Sequence, residues 1–232
     1  MAAIYLIRHG QANTKSADYD MLSDLGKEQA KLIAQPLADK CISPDSLTIG
    51  GMKRHQQTAD LALSSCQVDA DKALKDIGWN EYDHQAILAG LDERLRTPEG
   101  IRQYFIENNL QKHQFRTVFI EAMHKWMKSN NCEIYPESWQ EFSNRVEKAF
   151  DSVLDKVEQN HFVFTSGGPI SLVVARLLGL DKEQFMTINW NLVNAGITKI
   201  LVNKQTGQLS LSCLNEHTIF DKEEHRNKLS YT

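Results

Sequence analysis

The sequence has few cysteines, and they form no recognisable pattern. There is no Cys-x-x-Cys pair, which argues against a zinc ribbon, and the wide spacing is unlike a compact disulfide framework. We therefore expect reduced thiols, as in a cytosolic protein. The four positions are Cys41, Cys66, Cys132 and Cys213.

Long hydrophobic runs and an excess of basic residues are also missing. No apolar stretch reaches the length of a membrane span, and the residues before Arg8 are too few for the hydrophobic region of a signal peptide. The net charge of −4 and the pI near 6.1 give no whole-protein footprint for nucleic acid or anionic lipid, so any positive site must be local. We expect a soluble, cytoplasmic protein that has neither nucleic acid nor a membrane as a partner.

The pattern of apolar residues predicts alternating strands and helices. Short apolar runs at residues 3–7, 47–49 and 161–165 predict buried strands, and residues 198–202 and 209–214 flank a Thr206-Gly207 turn that is typical of a hairpin. Helical spacing predicts helices at residues 24–39, 52–65, 137–160 and 169–178. Pro36 predicts a kink or early stop, Ser138 and Glu141 a capping box, and Gly179 a helix end.

This alternation indicates an α/β fold with a mostly parallel sheet, helices on both faces and an antiparallel hairpin at one edge. With 232 residues, 41% of them hydrophobic, we expect one domain over residues 1–232. Residues from about 91 to 136 are polar and helical, do not fit the sheet, and are interpreted as an inserted helical cap over the pocket that sets specificity.

Ligands of such sheets bind outside the carboxyl ends of the strands, and three of these ends carry suitable residues. Arg8, His9 and Gly10 follow the first strand, and Arg54 lies in the first turn of the helix after the second. After the third, Gly167 and Gly168 leave backbone amides free, and Pro169 suits the first helical position. Each signal is weak alone, because a single Arg or His is often structural, but together they describe a phosphate pocket.

Three segments in this order resemble the histidine phosphatase superfamily, which is also called phosphoglycerate mutase-like. They are "YLIRHGQA", "DMLSDLGKEQA" and "GGMKRHQQTA", and "FVFTSGGPISLVVARLLGL" has the shape of the family's third motif. The resemblance implies a three-layer α/β/α fold and chemistry without metal or cofactor. It also implies that His9 becomes a phosphohistidine while Arg8 and Arg54 neutralise the phosphoryl oxygens, roles that suit a fixed guanidinium and an imidazole kept neutral by its neighbours.

A leaving-group alkoxide needs a proton, and the family supplies it from an acidic residue after the second helix. In "GWNEYD" we assign Glu81 as this acid, with Asp76 and then Asp83 as alternatives. The remaining interpretation is that Glu81 is an exposed loop carboxylate.

The chain departs from the family where the third motif has a histidine, because Ser166 occupies that position. Three interpretations stay open: Ser166 replaces the histidine directly, His55 supplies the missing imidazole from another wall, or the pocket only binds a phosphorylated ligand. His55 could equally be a helix-surface residue. A nucleophilic Ser166 is disfavoured because "FTSGGP" lacks the Gly-x-Ser-x-Gly elbow.

A second departure is Lys15, with Asn13 nearby, where many members place a substrate-contacting Asn. The triple-proline segment and long loops of true phosphoglycerate mutases are missing, which favours hydrolysis over mutase transfer. We therefore expect a phosphatase that acts on a small phosphomonoester. The alternatives are a catalytically impaired phospho-ligand binding module and, less favoured, a phosphomutase. No metal-ligand pattern occurs, and the sequence leaves the oligomeric state open.

Overall fold

The computed structural model of the protein describes residues 1–13, 20–39, 44–64, 68, 70, 73–129 and 134–231. The chain divides into two compact units, one formed by Met1–Glu81 and Val146–Thr232, and the other by Tyr82–Arg145. Lys15, Cys41, Cys66 and Cys132 lie outside the described residues, whereas Cys213 is a free thiol.

The first unit contains a six-stranded sheet in the order β3-β2-β4-β1-β5-β6. Strands β1 to β4 pair in parallel, and β5 and β6 continue the sheet in antiparallel pairing. This confirms the mostly parallel sheet with an edge hairpin, and among the strands the two-residue β3 was not predicted from the sequence. The bounds are β1 Ala2–Arg8, β2 Ser46–Ile49, β3 Leu74–Lys75, β4 Asn160–Thr165, β5 Ile197–Val202 and β6 Leu209–Glu216.

Every residue of β1 is buried, so both faces of the sheet are covered at its centre. On one face, Tyr5 and Ile7 pack in a cluster with residues of the first two helices. The helices of this unit are α1 Asp24–Asp39, α2 Lys53–Leu63, α7 Gly167–Leu178 and α8 Phe185–Asn189. The sequence thus predicted strand and helix positions closely, because strongly periodic segments carry the clearest signal.

Two details of these helices differ from the prediction. The expected early stop at Pro36 is wrong, because α1 continues to Asp39, and Ile33 and Leu37 around the proline are buried in the core. Helix α7 begins at Gly167 instead of Pro169, with Ser166 as its N-terminal flanking residue. Gly179 ends this helix in the left-handed conformation, with φ of 64°, as predicted.

The second unit is helical. Its helices are α3 His84–Leu91, α4 Pro98–Glu107, α5 Phe115–Lys128 and the start of α6 Trp139–Lys156, and it includes all of residues 91–136. Tyr82, Trp126 and Phe142 form its aromatic core, with ring centroids 5.4 to 5.7 Å apart. The capping box before α6 is confirmed, since the Ser138 amide donates to Glu141 and the Glu141 amide donates to the Ser138 hydroxyl. None of the described helices has the length and apolarity to cross a membrane.

Candidate active site

His9 follows β1 directly and is buried, with 6% of its surface exposed. Its Nδ1 lies 2.6 Å from the Gly10 carbonyl oxygen, and its Nε2 accepts a hydrogen bond of 3.2 Å from Arg54 Nε. Since the carbonyl can only accept and the guanidinium can only donate, these partners select the neutral tautomer with the proton on Nδ1. Nε2 therefore carries the lone pair, which accepts the hydrogen bond from the Arg54 guanidinium.

The pKa of His9 is held well below its ordinary value. Burial has the largest effect, because it disfavours the charged ring, and the positive charges of Arg54 and then Arg8 add to it. The imidazole is consequently neutral and nucleophilic at pH 7.

Gly10 is required by close packing and not by an unusual turn. A Cβ at Gly10 would lie 2.3 Å from the Gly26 carbonyl oxygen, so the chain after His9 passes directly over the N-terminal turn of α1. Among the described residues, the glycines with positive φ are Gly179 and Gly207. A glycine is therefore needed at position 10 because the backbone of Gly26 leaves no space for a side chain.

The two predicted arginines are buried and held by different kinds of partner. Arg8 Nη1 donates to the main-chain carbonyls of Leu192 and Tyr231, the latter at 2.6 Å. Arg54 Nη1 donates to Asp20 Oδ1 at 3.1 Å. Both guanidiniums are thereby fixed in direction, as a pocket for a tetrahedral anion requires.

His55 is fully buried, so its interpretation as a helix-surface residue is wrong. Its Nε2 lies 2.7 Å from the hydroxyl oxygen of Ser166, which is also fully buried, and its ring centroid lies 5.7 Å from that of His9. Burial, followed by the charge of Arg54, holds the pKa of His55 well below its ordinary value. A second neutral imidazole thus lies beside the first, and it contacts Ser166, where the sequence resemblance predicts a histidine.

The glycines after Ser166 differ partly from the prediction. Gly168 was expected to offer a free amide, but its N–H donates to Glu81 Oε2 at 3.1 Å. Gly167 lies against Arg8 and Asn189, since a Cβ there would come within 3.5 Å of Arg8 Nε and 2.6 Å of Asn189 Oδ1. The start of α7 is therefore directly beside one of the cations.

The three candidate acids have different surroundings. Glu81 is half-buried, and Gly168 directs its carboxylate toward the start of α7. Asp76 caps the 3₁₀-helix Ile77–Trp79 by accepting from the Gly78 amide, and Asp83 caps α3 by accepting from the amides of Gln85 and Ala86. Because both alternatives have structural roles, Glu81 remains the acid that we assign.

Several residues near the site were missed by sequence reasoning. Asp20 contacts Arg54, and the Ala195 amide and Asn194 Nδ2 donate to the His9 carbonyl at 3.1 and 3.4 Å. Ala195 has a positive φ of 59°, and the clustered asparagines and glycine in "NWNLVNAGI" were the available signal of a tight loop. Asn13 donates its amide to the Met21 carbonyl, and nothing further places it in the site.

No group of three or more His, Cys, Asp or Glu residues that could hold a metal ion occurs within the described ranges. The site brings together two imidazoles, two guanidiniums, a hydroxyl and a carboxylate. This set suits an anion that accepts hydrogen bonds and is attacked by a neutral nitrogen nucleophile.

Comparisons with known proteins point to one family. The family model described as the histidine phosphatase superfamily (branch 1) matches residues 4–215. The chain is also similar to the mitochondrial serine/threonine-protein phosphatase Pgam5 of Caenorhabditis briggsae, with 36% identity over 70 residues, which are 30% of this chain and 24% of that protein. It thus matches only about a quarter of the length of that relative.

Solved structures show the fold. YhfR of Bacillus stearothermophilus superposes with a TM-score of 0.67 at 15% identity, covering 94% of this chain and 99% of the other. The alpha-ribazole phosphatase of Shigella flexneri superposes with a TM-score of 0.62 at 24% identity, covering 92% of this chain and 96% of the other. At these identities the likeness supports the phosphoglycerate mutase-like architecture and says nothing of the substrate.

Proposed function

The chain belongs to the histidine phosphatase superfamily, and from this premise we propose that it hydrolyses a small phosphomonoester through a phosphohistidine on His9. Membership of the superfamily supports phosphatase activity in general. The observation that carries the finer proposal is the state of His9, whose Nδ1 is engaged by the Gly10 carbonyl while Nε2 faces Arg54.

In the first step, His9 Nε2 attacks phosphorus, and the bond between phosphorus and the leaving-group oxygen breaks. Arg8 and Arg54 neutralise the phosphoryl oxygens, and the Arg54 Nε–H that now points to Nε2 turns to an oxygen of the transferred group. Little further chemistry is needed, because a loose transition state depends mainly on in-line positioning and on charge neutralisation.

Glu81 is proposed to protonate the leaving oxygen in this step. In the second step water attacks the phosphohistidine, Glu81 takes the proton from the water, and the bond between nitrogen and phosphorus breaks to release inorganic phosphate. The single carboxyl thus acts first as acid and then as base. Its hydrogen bond from Gly168 supports this role by directing the carboxyl toward the strand ends.

We further propose that His55 and Ser166 together replace the family's second histidine. With the His55 proton on Nε2, this N–H donates to the Ser166 oxygen at 2.7 Å, which leaves the single hydroxyl proton of the serine to donate to a phosphoryl oxygen. A hydroxyl polarised by an imidazole is a stronger donor than an isolated one, because hydrogen bonds in a chain reinforce one another. The contact favours a working pocket over a degenerate one.

The nature of the leaving group stays a proposal. The relatives include a protein-directed phosphatase and an alpha-ribazole phosphatase by name, and a protein side chain and a small nucleoside-like alcohol are therefore both reasonable leaving groups. We propose the small alcohol, and that residues of the inserted segment 91–136 set specificity.

The test is hydrolysis of para-nitrophenyl phosphate by the native chain and by His9→Ala. We expect the native rate to exceed that of the variant by at least about 10³-fold, since a nucleophile and its covalent route are lost together. Equal background rates in the two proteins would contradict the enzymatic function and favour a phospho-ligand binding module. Calorimetry with inorganic phosphate would then measure whether the site binds such a ligand.

A further inference from the structure

We propose that Asp20 is a positioning residue of this active site: its carboxylate holds the far end of the Arg54 guanidinium and so directs Arg54 Nε to the nucleophilic nitrogen of His9. The inference rests on the proposed function of the site, and it concerns a residue that neither the motifs nor the comparisons assign. It accounts for the orientation of the Arg54 guanidinium toward His9 Nε2.

Asp20 uses both of its carboxylate oxygens. Oδ1 accepts from Arg54 Nη1 at 3.1 Å, and Oδ2 accepts from the Lys53 amide at 2.8 Å. The carboxylate therefore bridges the guanidinium and the first turn of α2. Lys53 and Arg54 are consecutive in the helix. The Asp20 carboxylate therefore holds the backbone amide of the first and the guanidinium of the second.

The guanidinium is then fixed at two points. Nη1 contacts Asp20, and Nε lies 3.2 Å from His9 Nε2. Because the guanidinium is planar and rigid, fixing one nitrogen on a carboxylate and another on an imidazole determines the orientation of the whole group. Removing the carboxylate takes away one of the contacts that hold the group in this orientation.

Burial makes this partner necessary. The side chain of Arg54 is only 5% exposed, and a guanidinium that is removed from water needs a counter-charge to remain stable. The Asp20 side chain is 31% exposed, so the carboxylate lies at the edge of the pocket.

The residues next to Asp20 are bound to the segment that follows His9. Ala12 and Leu22 form an antiparallel bridge, the Asn13 amide donates to the Met21 carbonyl, and the Leu22 amide donates to Gln57 Oε1 at 2.9 Å. The residues directly after Asp20 are thus fastened both to the segment that follows His9 and to helix α2. The position of the Asp20 carboxylate therefore depends on both the segment after His9 and helix α2.

Asp20 could also act only by stabilising the start of α2, and the variants must distinguish this structural role from the positioning of Arg54. Met52, the N-terminal flanking residue of α2, makes no side-chain cap, so Asp20 also stabilises the helix end. The variant Asp20→Ala loses both functions, and Asp20→Ala/Met52→Ser supplies a new cap to the helix without restoring the contact with Arg54. Asp20→Asn keeps an acceptor for the Lys53 amide but removes the charge.

The experiment compares these three variants with Asp24→Asn, a control in which an exposed carboxylate that pairs with Lys27 is changed. We expect kcat/KM for para-nitrophenyl phosphate to fall by about 10- to 100-fold in Asp20→Asn and further in Asp20→Ala, mostly through kcat, and to be unchanged in the control. Met52→Ser should raise the melting temperature of Asp20→Ala without restoring kcat/KM.

A second readout does not depend on turnover. In protein labelled with ¹⁵N-histidine, the His9 Nε2 resonance should move toward the position of an unprotonated nitrogen without a hydrogen bond in Asp20→Asn and Asp20→Ala, and should stay in Asp24→Asn. An unmoved resonance in Asp20→Ala, or full recovery of kcat/KM by Met52→Ser, would overturn the proposal. A native chain that lacks His9-dependent hydrolysis would instead overturn the proposed function, and the resonance would still decide the role of Asp20.

Discussion

His55 Nε2 lies 2.7 Å from the Ser166 hydroxyl oxygen, although the two residues are 111 positions apart in the chain. His55 lies at the start of a helix, and Ser166 lies at the end of a strand, where the sequence resemblance predicts a histidine. Their contact supports the proposal that an imidazole on the neighbouring helix takes the place of one at the strand end. The predictions below test this arrangement and its surroundings.

The first prediction concerns the pair itself. We expect His55→Gln and Ser166→Ala each to lower kcat/KM by about 10²- to 10³-fold, the usual cost of losing one preorganised donor. Because the two side chains act as a unit, the double variant should be about as slow as either single variant. His113→Gln, which changes an exposed histidine, serves as the control. Fully additive losses would show that the two residues act separately.

A relocated imidazole gives a sharper form of this test. Ser166→His alone should be inactive or unstable, because both side chains are fully buried and a second ring has no room. His55→Ala/Ser166→His removes one ring and adds another at the family's position, and should recover kcat/KM to within about tenfold of the native value. Absence of recovery in a folded double variant would contradict the assignment.

Gly50 provides a test from the opposite side of the His55 ring. A Cβ at Gly50 would lie 2.2 Å from His55 Nδ1, whereas the nearest atom to a Cβ at Gly51 is Ile77 Cγ2 at 3.0 Å, on a largely exposed side chain that can move. Gly50→Ala should therefore displace the ring, lower kcat/KM by about tenfold or more, and cost about 1–3 kcal/mol of stability. Gly51→Ala should be near native in both respects, and comparable losses in the two variants would contradict this account.

The assignment of Glu81 predicts a dependence on the leaving group. Glu81→Gln should lower kcat by about 10²-fold or more for an alkyl phosphate, whose alkoxide needs a proton, and much less for para-nitrophenyl phosphate. Asp76→Asn and Asp83→Asn are matched controls, because both change helix-capping carboxylates and should preserve the ratio of the two rates. A changed ratio in a control, with Glu81→Gln unchanged, would transfer the role of acid to that residue.

His161 predicts how stability depends on pH. It lies between the Ser46 and Thr48 hydroxyls, and burial, followed by the charge of Lys156, lowers its pKa to about 4. Its folded-state pKa is below the unfolded value, so the folded state resists protonation. No effect is expected above about pH 6.5, and below it stability should fall by at most about 1.4 kcal/mol per pH unit until about pH 4.

The check is urea unfolding of the native chain and of His161→Gln between pH 7 and pH 4.5. The native protein should lose more stability than the variant over this range, because the other titrating groups are common to both. Parallel losses in the two proteins would show that His161 is not buried in its neutral form.

The strand ends and the residues directly after them were predictable from the sequence, because local apolar runs and short motifs are contiguous in the chain. His9, Arg8 and Arg54 belong to this class. The early stop that Pro36 suggested did not occur, since the contribution of the core around Leu37 outweighs the hydrogen bond that Pro36 cannot make. Local propensity gives way to tertiary packing at such positions.

The wall of the site was less predictable. His55 is buried together with Arg54 and Thr58 at the start of α2, and such polar residues in a helix normally indicate exposure to solvent. The Tyr231 carbonyl that accepts from Arg8 leaves no trace in the sequence, since every residue has a carbonyl. The contact between Asp20 and Arg54 likewise depends on the path of the chain around α2.

The central claim is tested most directly by trapping the covalent intermediate. Native protein mixed with a phosphomonoester and quenched within one turnover should carry a phosphoryl group on His9 that is labile in acid and stable in base, identified by mass spectrometry of the peptide that contains His9. We predict this adduct in the native chain and its slower formation in His55→Gln. Phosphate on Ser166, or hydrolysis without any adduct on His9, would contradict the account.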